Sequence, residues 1–273
     1  MKPFLKWAGG KTKLVPTILA RVPVFEGSYH EPFVGGGAVF MALHAAGKLS
    51  RAHQVGYAVL NDVNAELMNA YAVVQDGATD FVKKLLEIKH SKETYYKVRA
   101  KEETEPLARA VRFCYLNKTC FNGLYRVNRA GHFNVPIGDY KNPVIVEPDV
   151  VAAWHAALAG VTLRSEDFEP RILAAKRGDF IYVDPPYLPR SKTADFTSYT
   201  ADRFALKEHE RLAAALVTAD RRGAKFIASQ GDSETIRALY KEFGIESVSV
   251  THAIAAKKAS RVKVGEVLIS NVR

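Results

Sequence analysis

The chain has 273 residues, 48% of them hydrophobic, which is enough to bury a sizeable core and argues against intrinsic disorder. Lys and Arg number 39 against 29 Asp and Glu, a net charge of +10 that suits a polyanionic partner, although many soluble proteins are mildly basic without one. No run of 18 apolar residues exists, so no membrane span is expected, and the two cysteines, Cys114 and Cys120, make neither a disulfide scaffold nor a paired zinc-ligand set. The first residues carry no apolar signal core, and a reduced cytoplasmic protein without a metal is expected.

In chain order, residues 28–30 lead through Glu31-Pro32-Phe33 into Gly35-Gly36-Gly37 and a helix over 38–47. Apolar runs at 55–60, 161–164, 180–183, 225–229, 246–251 and 266–270 are predicted strands, and 65–74, 203–222 and 233–243 are predicted helices. Their alternation implies right-handed crossovers and a mostly parallel sheet, with ligands outside the carboxyl ends of the strands. Residues 78–118 are helical in pattern with charged faces, and 119–145 carry Gly123, Gly131, Gly138, Pro136 and Pro143, the marks of loop and hairpin. The expected organisation is an α/β catalytic domain, 1–77 with 146–273, bearing an insert over 78–145.

Three constellations point to chemistry. Glycines 35–37 between a strand and a helix allow a ligand to approach the backbone and the free N–H groups of the helix start, or simply make a tight turn. Asp62 follows the second strand, 27 residues after Gly35, where an acid can accept from two ribose hydroxyls or cap the next helix. Together they indicate an adenosine-containing cofactor. Asp184-Pro185-Pro186-Tyr187 directly follows the apolar strand 180–183. Two prolines fix φ and remove two N–H donors, so the Asp184 carboxylate and the Pro185 carbonyl form a rigid pair of acceptors beside an aromatic face. That suits a flat substrate bearing an NH2 group; the alternative is a rigid loop with a solvated acid. At 4–11, Trp7 offers a stacking face and Gly9-Gly10-Lys11 resembles a phosphate loop, but position 5 is Leu5 and no strand precedes it, which rejects that motif.

The motifs FLKWAGGK (4–11), EPFVGGGAVF (31–40), LNDVN (60–64), FNGLYR (121–126), GHFNVPIG (131–138), DFIYVDPPY (179–187) and GEVLISN (265–271) occur in one order over nearly the whole chain. The set resembles the DNA adenine-N6 methyltransferases of the Dam type, the α group of amino-methyltransferases. The resemblance implies a Rossmann-like, S-adenosylmethionine-dependent methyltransferase sheet with an inserted helical and hairpin DNA-recognition domain. By that likeness Trp7 and Lys11 shape the methionine side of the cofactor, Phe33, Gly35 and Gly37 line it, Asp62 takes the ribose, and Asp167 and Phe168 lie at its adenine. Asp184, Pro185, Pro186 and Tyr187 form the catalytic turn, Asp184 serving both cofactor edge and target amine.

The implied partner is double-stranded DNA, with no obligate protein partner and no membrane. Residues 106–145 hold six basic side chains (Arg109, Arg112, Lys118, Arg126, Arg129, Lys141) against one acid, Asp139. Composition alone reads this as a solvated helix face over a small aromatic core; the resemblance reads it as a DNA reader. In that reading Asn122, Leu124, Arg126 and Pro136 match positions that read GATC, Lys6 reaches an outer guanine, Phe121 wedges or stacks in the duplex, and Arg129 contacts DNA. The expected reaction is transfer of a methyl group to N6 of a flipped-out adenine. The alternatives are the same chemistry at another sequence, or a DNA-binding regulator with a degenerate cofactor site. Ser229-Gln230 departs from the Ser-Asn common in the family. Residues 191–200 are expected to cover the flipped base, and 253–273 hold five basic residues and one acid, a further phosphate-contacting stretch or a solvated edge.

Overall fold

The computed structural model describes residues 2–49, 54, 56–188, 204–249 and 265–272. The expected cover over 191–200 lies outside them, as do Val55, Arg203 and residues 250–251 of the predicted elements. By internal contacts the chain divides into two compact units, Met1–Thr12 with Val34–Glu166, and Lys13–Phe33 with Asp167–Arg273.

The first unit holds α2 (Ala38–Ala45), β2 (Ala58–Asn61), α3 (Ala65–Leu86), α4 (Lys92–Ala100), α5 (Pro106–Thr119), a 3-10 turn (Phe121–Gly123), α6 (Pro148–Leu158) and β3 (Thr162–Arg164). β2 and β3 pair in parallel, Val59 with Thr162 through Asn61 with Arg164. α3 starts at Asn64, whose side chain accepts from the Leu67 N–H, and it buries Leu67, Tyr71, Val74, Phe81 and Leu85, a stripe at helical spacing. It bends at Gly77 (φ −151°, ψ 51°) and continues to Leu86, well past the predicted end at Val74. Trp154 of α6, fully buried, gathers this core. Its ring lies 5.4 Å from Phe4, 5.3 Å from Tyr71 and 6.0 Å from Phe40, and its indole N–H donates to the Lys2 carbonyl.

The second unit holds α1 (Val15–Leu19), β1 (Tyr29–Glu31), α7 (Phe168–Leu173), β4 (Phe180–Val183), α8 (Leu206–Arg221), β5 (Lys225–Gly231), α9 (Glu234–Leu239), β6 (Gly244–Ser249) and β7 (Gly265–Ser270). Strand order is β1-β4-β5-β7-β6. β4 runs parallel to both β1 and β5, whereas β7 is antiparallel to β5 and β6. All four residues of β4 are buried, which is why it reads as an unbroken apolar run. Phe226, Ala228, Val267 and Ile269 pack against Leu212, Leu216 and Ala219 of α8. At the amino end of β4, Asp179 accepts from Ser28 N, Lys176 N and His30 Nε2 (2.8, 3.0 and 3.2 Å). These bonds hold its carboxyl below the usual range despite burial and pin the start of the strand. No helix among the described residues is long and apolar enough to cross a membrane.

Candidate active site

In the first unit the carboxyl end of β2 organises one set of the expected residues. The Asn61 carbonyl accepts from Val34 N (2.8 Å), and its side chain exchanges two hydrogen bonds with the Glu166 backbone (3.0 and 3.1 Å). Two loops are therefore tied to one strand end. Asp62 follows, half-buried, with Oδ2 accepting from Gly35 N (3.1 Å) and Oδ1 from Asn64 N (3.0 Å). Burial raises its carboxyl pKa, and the two N–H bonds pull it back. The helix cap is Asn64, so Asp62 instead clips the glycine turn to the strand. An ionised carboxylate has about four lone-pair sites, so two backbone bonds leave acceptor capacity for a diol.

The glycine turn has a packing reason. Gly35 and Gly37 have φ of +47° and +64°, and a Cβ would fall 2.7 Å from Trp7 Cδ1 and 2.4 Å from Trp154 Cη2 respectively. Aromatic rings thus fill the side-chain space at both positions, and the Tyr71 hydroxyl donates to the Gly35 carbonyl (2.9 Å). Trp7 is stacked on Tyr125 (6.2 Å, 23°), so one indole face is already used. Lys11 is buried and donates through Nζ to the Gly9 carbonyl (2.8 Å).

In the second unit β4 delivers the Asp184–Tyr187 turn. Asp184 is half-buried, Pro185 buried, Pro186 exposed and Tyr187 half-buried. The Tyr187 hydroxyl donates to Glu266 Oε2 (3.2 Å), and Tyr182 Oη bonds Ser229 Oγ (2.8 Å). Burial first, then the Asp184 and Glu266 charges, raises the Tyr187 pKa, so its O–H stays protonated. Phe33, Asp167 and Phe168 come together in this unit. Phe33 stacks on Phe168 (5.2 Å, 29°) and Phe204 meets Phe33 edge-on (5.5 Å). Asp167 caps α7, accepting from Glu169 N (2.9 Å), and also accepts from Arg211 (3.0 Å). Arg211 bonds Glu169 and Glu208 as well, with its guanidinium 5.0 Å from the Phe168 ring. Phe204, Arg211 and Glu266 were not legible in the sequence, because their contacts with Phe33, Asp167 and Tyr187 are made across distant chain.

The expected DNA-reading residues lie in the first unit. Asn122, in the middle of the 3-10 turn, is in the left-handed region (φ 54°), and the turn leaves Phe121 and Leu124 exposed (50% and 39%). Phe121 N donates to the Pro136 carbonyl (2.9 Å), which ties this turn to a hairpin paired at Val127 and Phe133. Arg129 sits at the exposed tip. Arg126 donates through Nε to Asn134 Oδ1 (2.6 Å), a bond that aims the guanidinium. Lys6 packs beneath Gly123, whose Cβ would lie 2.6 Å from Lys6 Cβ, and its Nζ donates to the Lys118 carbonyl (3.0 Å) and lies 4.1 Å from the Tyr140 ring centroid. Three of the counted basic residues do structural work. Arg109 pairs with Glu66 (2.6 Å), Arg112 donates to the Val98 and Arg99 carbonyls, and Lys118 is buried, which lowers its pKa.

Residues 7–254 match the family model described as D12 class N6 adenine-specific DNA methyltransferase. The type II methyltransferase M1.LlaDCHI of Lactococcus lactis subsp. cremoris is 37% identical, covering 99% of this chain and 95% of that protein. The type II methyltransferase M.MjaIII of Methanocaldococcus jannaschii is also 37% identical, with 99% of each chain covered. The DNA adenine methylase of Escherichia coli strain K12 is 33% identical over 98% of this chain and 94% of its own.

Proposed function

Because this chain belongs to the D12 class N6 adenine-specific DNA methyltransferases, an S-adenosylmethionine-dependent family, we propose that it methylates an adenine flipped out of duplex DNA within GATC. The observation that carries the chemical reading is the turn at the end of β4. A fully buried strand presents the Asp184 carboxylate next to the Pro185 carbonyl, with Tyr187 anchored beside them.

The adenine amine is a weak nucleophile because its lone pair conjugates with the ring. Asp184 and the Pro185 carbonyl accept its two N–H groups and favour a pyramidal nitrogen with its lone pair free to react. Such fixed acceptors act by positioning and electrostatics. The amine lies within a stacked pair, so the base leaves the duplex at a cost of a few kcal/mol, and Tyr187 offers it a new face. S-adenosylmethionine supplies an electrophilic methyl group on sulfur. Asp62 holds its ribose with the acceptor capacity left after Gly35 and Asn64, Trp7, Lys11 and the 35–37 turn serve its methionine side, and Phe33, Asp167 and Phe168 its adenine.

Residues 78–145 are read as the DNA-recognition insert. Support comes from the exposed Phe121 and Leu124 and from the aimed Arg126. GATC is supported by the FNGLYR segment and by relatives named DNA adenine methylase. Plasmid treated with the protein and S-adenosylmethionine should resist a nuclease that cuts only unmethylated GATC. Cleavage at every GATC, with methylated adenines mapped elsewhere, would refute the target.

A further inference from the structure

We infer that Glu266 is a positioning residue for methyl transfer, holding the Tyr187 phenol so that the ring presents a fixed plane to the flipped adenine. This rests on the reading above, in which Tyr187 faces the target base. Glu266 lies in β7 with only 1% of its surface exposed, between Gly265 and the apolar run Val267-Leu268-Ile269. A carboxylate in such a strand costs stability unless it is hydrogen-bonded, and an apolar side chain of similar volume would cost less. Glu266 Oε2 accepts from the Tyr187 hydroxyl at 3.2 Å.

The ring is also held along its side. Gly231 pairs with Glu266 across the β5–β7 ladder, and a Cβ there would lie 3.4 Å from Tyr187 Cδ2 and 3.7 Å from Cγ. Adjacent positions on two strands thus fix both the phenol end and the flank of one ring. Pro185 and Pro186 stiffen the backbone before Tyr187 but leave its χ1 and χ2 free. The bond to Glu266 fixes the phenol oxygen and with it χ1, while the strand backbone at Gly231 flanks the ring and limits its rotation about χ2. Its loss lets the ring swing, and a base stacked on a swinging ring spends less time with its amine at Asp184 and Pro185.

The test is a double-mutant cycle on the full-length protein with S-adenosylmethionine and a GATC duplex, reading kcat, KM for the cofactor and unfolding midpoint. Glu266→Ala and Tyr187→Phe should each lower kcat about tenfold, and the double variant about tenfold rather than a hundredfold. Cofactor KM should stay within about twofold of the parent, because the ring serves the base and not the cofactor. Glu266→Gln keeps an acceptor oxygen and should recover most of the lost turnover. Parent-like kcat in Glu266→Ala, multiplicative losses in the double variant, or an effect confined to cofactor KM would overturn the inference. If Glu266→Ala does not fold, Tyr187→Phe decides, and parent-like turnover there overturns it equally. A parent inactive on adenine in any duplex overturns the functional reading and this inference with it, whereas an active parent with an indifferent Glu266→Ala overturns this inference alone.

Discussion

His209 should make the stability of the fold depend on pH in a way that one substitution removes. It lies fully buried on α8, edge-on to Phe204 at 4.8 Å, and neither ring nitrogen has a partner of ordinary hydrogen-bond geometry among the described residues. Burial pushes its pKa down to about 4, the Pro186 backbone opposing without cancelling the drop. In the unfolded chain the imidazole titrates near the usual value of about 6.5. The folded state therefore binds the proton less tightly than the unfolded state. Its contribution is complete above about pH 6.5 and is lost as the pH falls towards 4. A tenfold change in protonation equilibrium is worth about 1.4 kcal/mol, so the gap corresponds to about 3 kcal/mol, most of it gone by about pH 4.5. Urea denaturation of the parent and of His209→Leu at pH 7 and pH 4.5 measures this. The parent should lose about 2–3 kcal/mol more than the variant over that interval. Parallel losses in the two proteins would show that the proton goes elsewhere and that His209 is not the source of the dependence.

Three further outcomes are expected. Asp62→Ala should weaken S-adenosylmethionine binding by about 1–3 kcal/mol in calorimetry, and unchanged affinity in a folded variant would leave Asp62 only the role of pinning Gly35. Gly37→Ala should destabilise by about 2–4 kcal/mol in urea, from a left-handed backbone (φ +64°) and a Cβ 2.4 Å from Trp154, whereas a loss below about 1 kcal/mol would show that the indole yields. Arg126→Ala should raise methylation at single-base variants of GATC relative to GATC at fixed salt, by about 1–3 kcal/mol of lost discrimination. A uniform fall in rate with an unchanged ratio would mark Arg126 as a phosphate contact.

Much of the second unit was legible because burial on both faces leaves a local signature. Phe180–Val183 is predicted and observed residue for residue, and the predicted strand 266–270 lacks only Gly265. The helix predicted at 65–74 continues to Leu86 because packing of Phe81 and Leu85 outweighs the break at Gly77. α6 was missed although Pro148 at its first turn is a start signal. Side-chain pairing was the illegible part. A charge count cannot know that Arg109 meets Glu66, and no local pattern joins Tyr187 to Glu266, 79 residues later. Asp62 illustrates both sides: its place after β2 was readable, but its bond to Gly35 needed the folded chain.

In the proposed reaction the turn after β4 directs a methyl group to the exocyclic amine of adenine. The most direct measurement incubates the parent and Asp184→Ala with methyl-labelled S-adenosylmethionine and duplex DNA, then digests the DNA to nucleosides and separates them. The label should appear in N6-methyladenine for the parent and fall at least about a thousandfold for Asp184→Ala with the fold retained, as expected when a fixed charged acceptor of the transition state is removed. Label in cytosine, or Asp184→Ala turnover within about tenfold of the parent, would contradict the account.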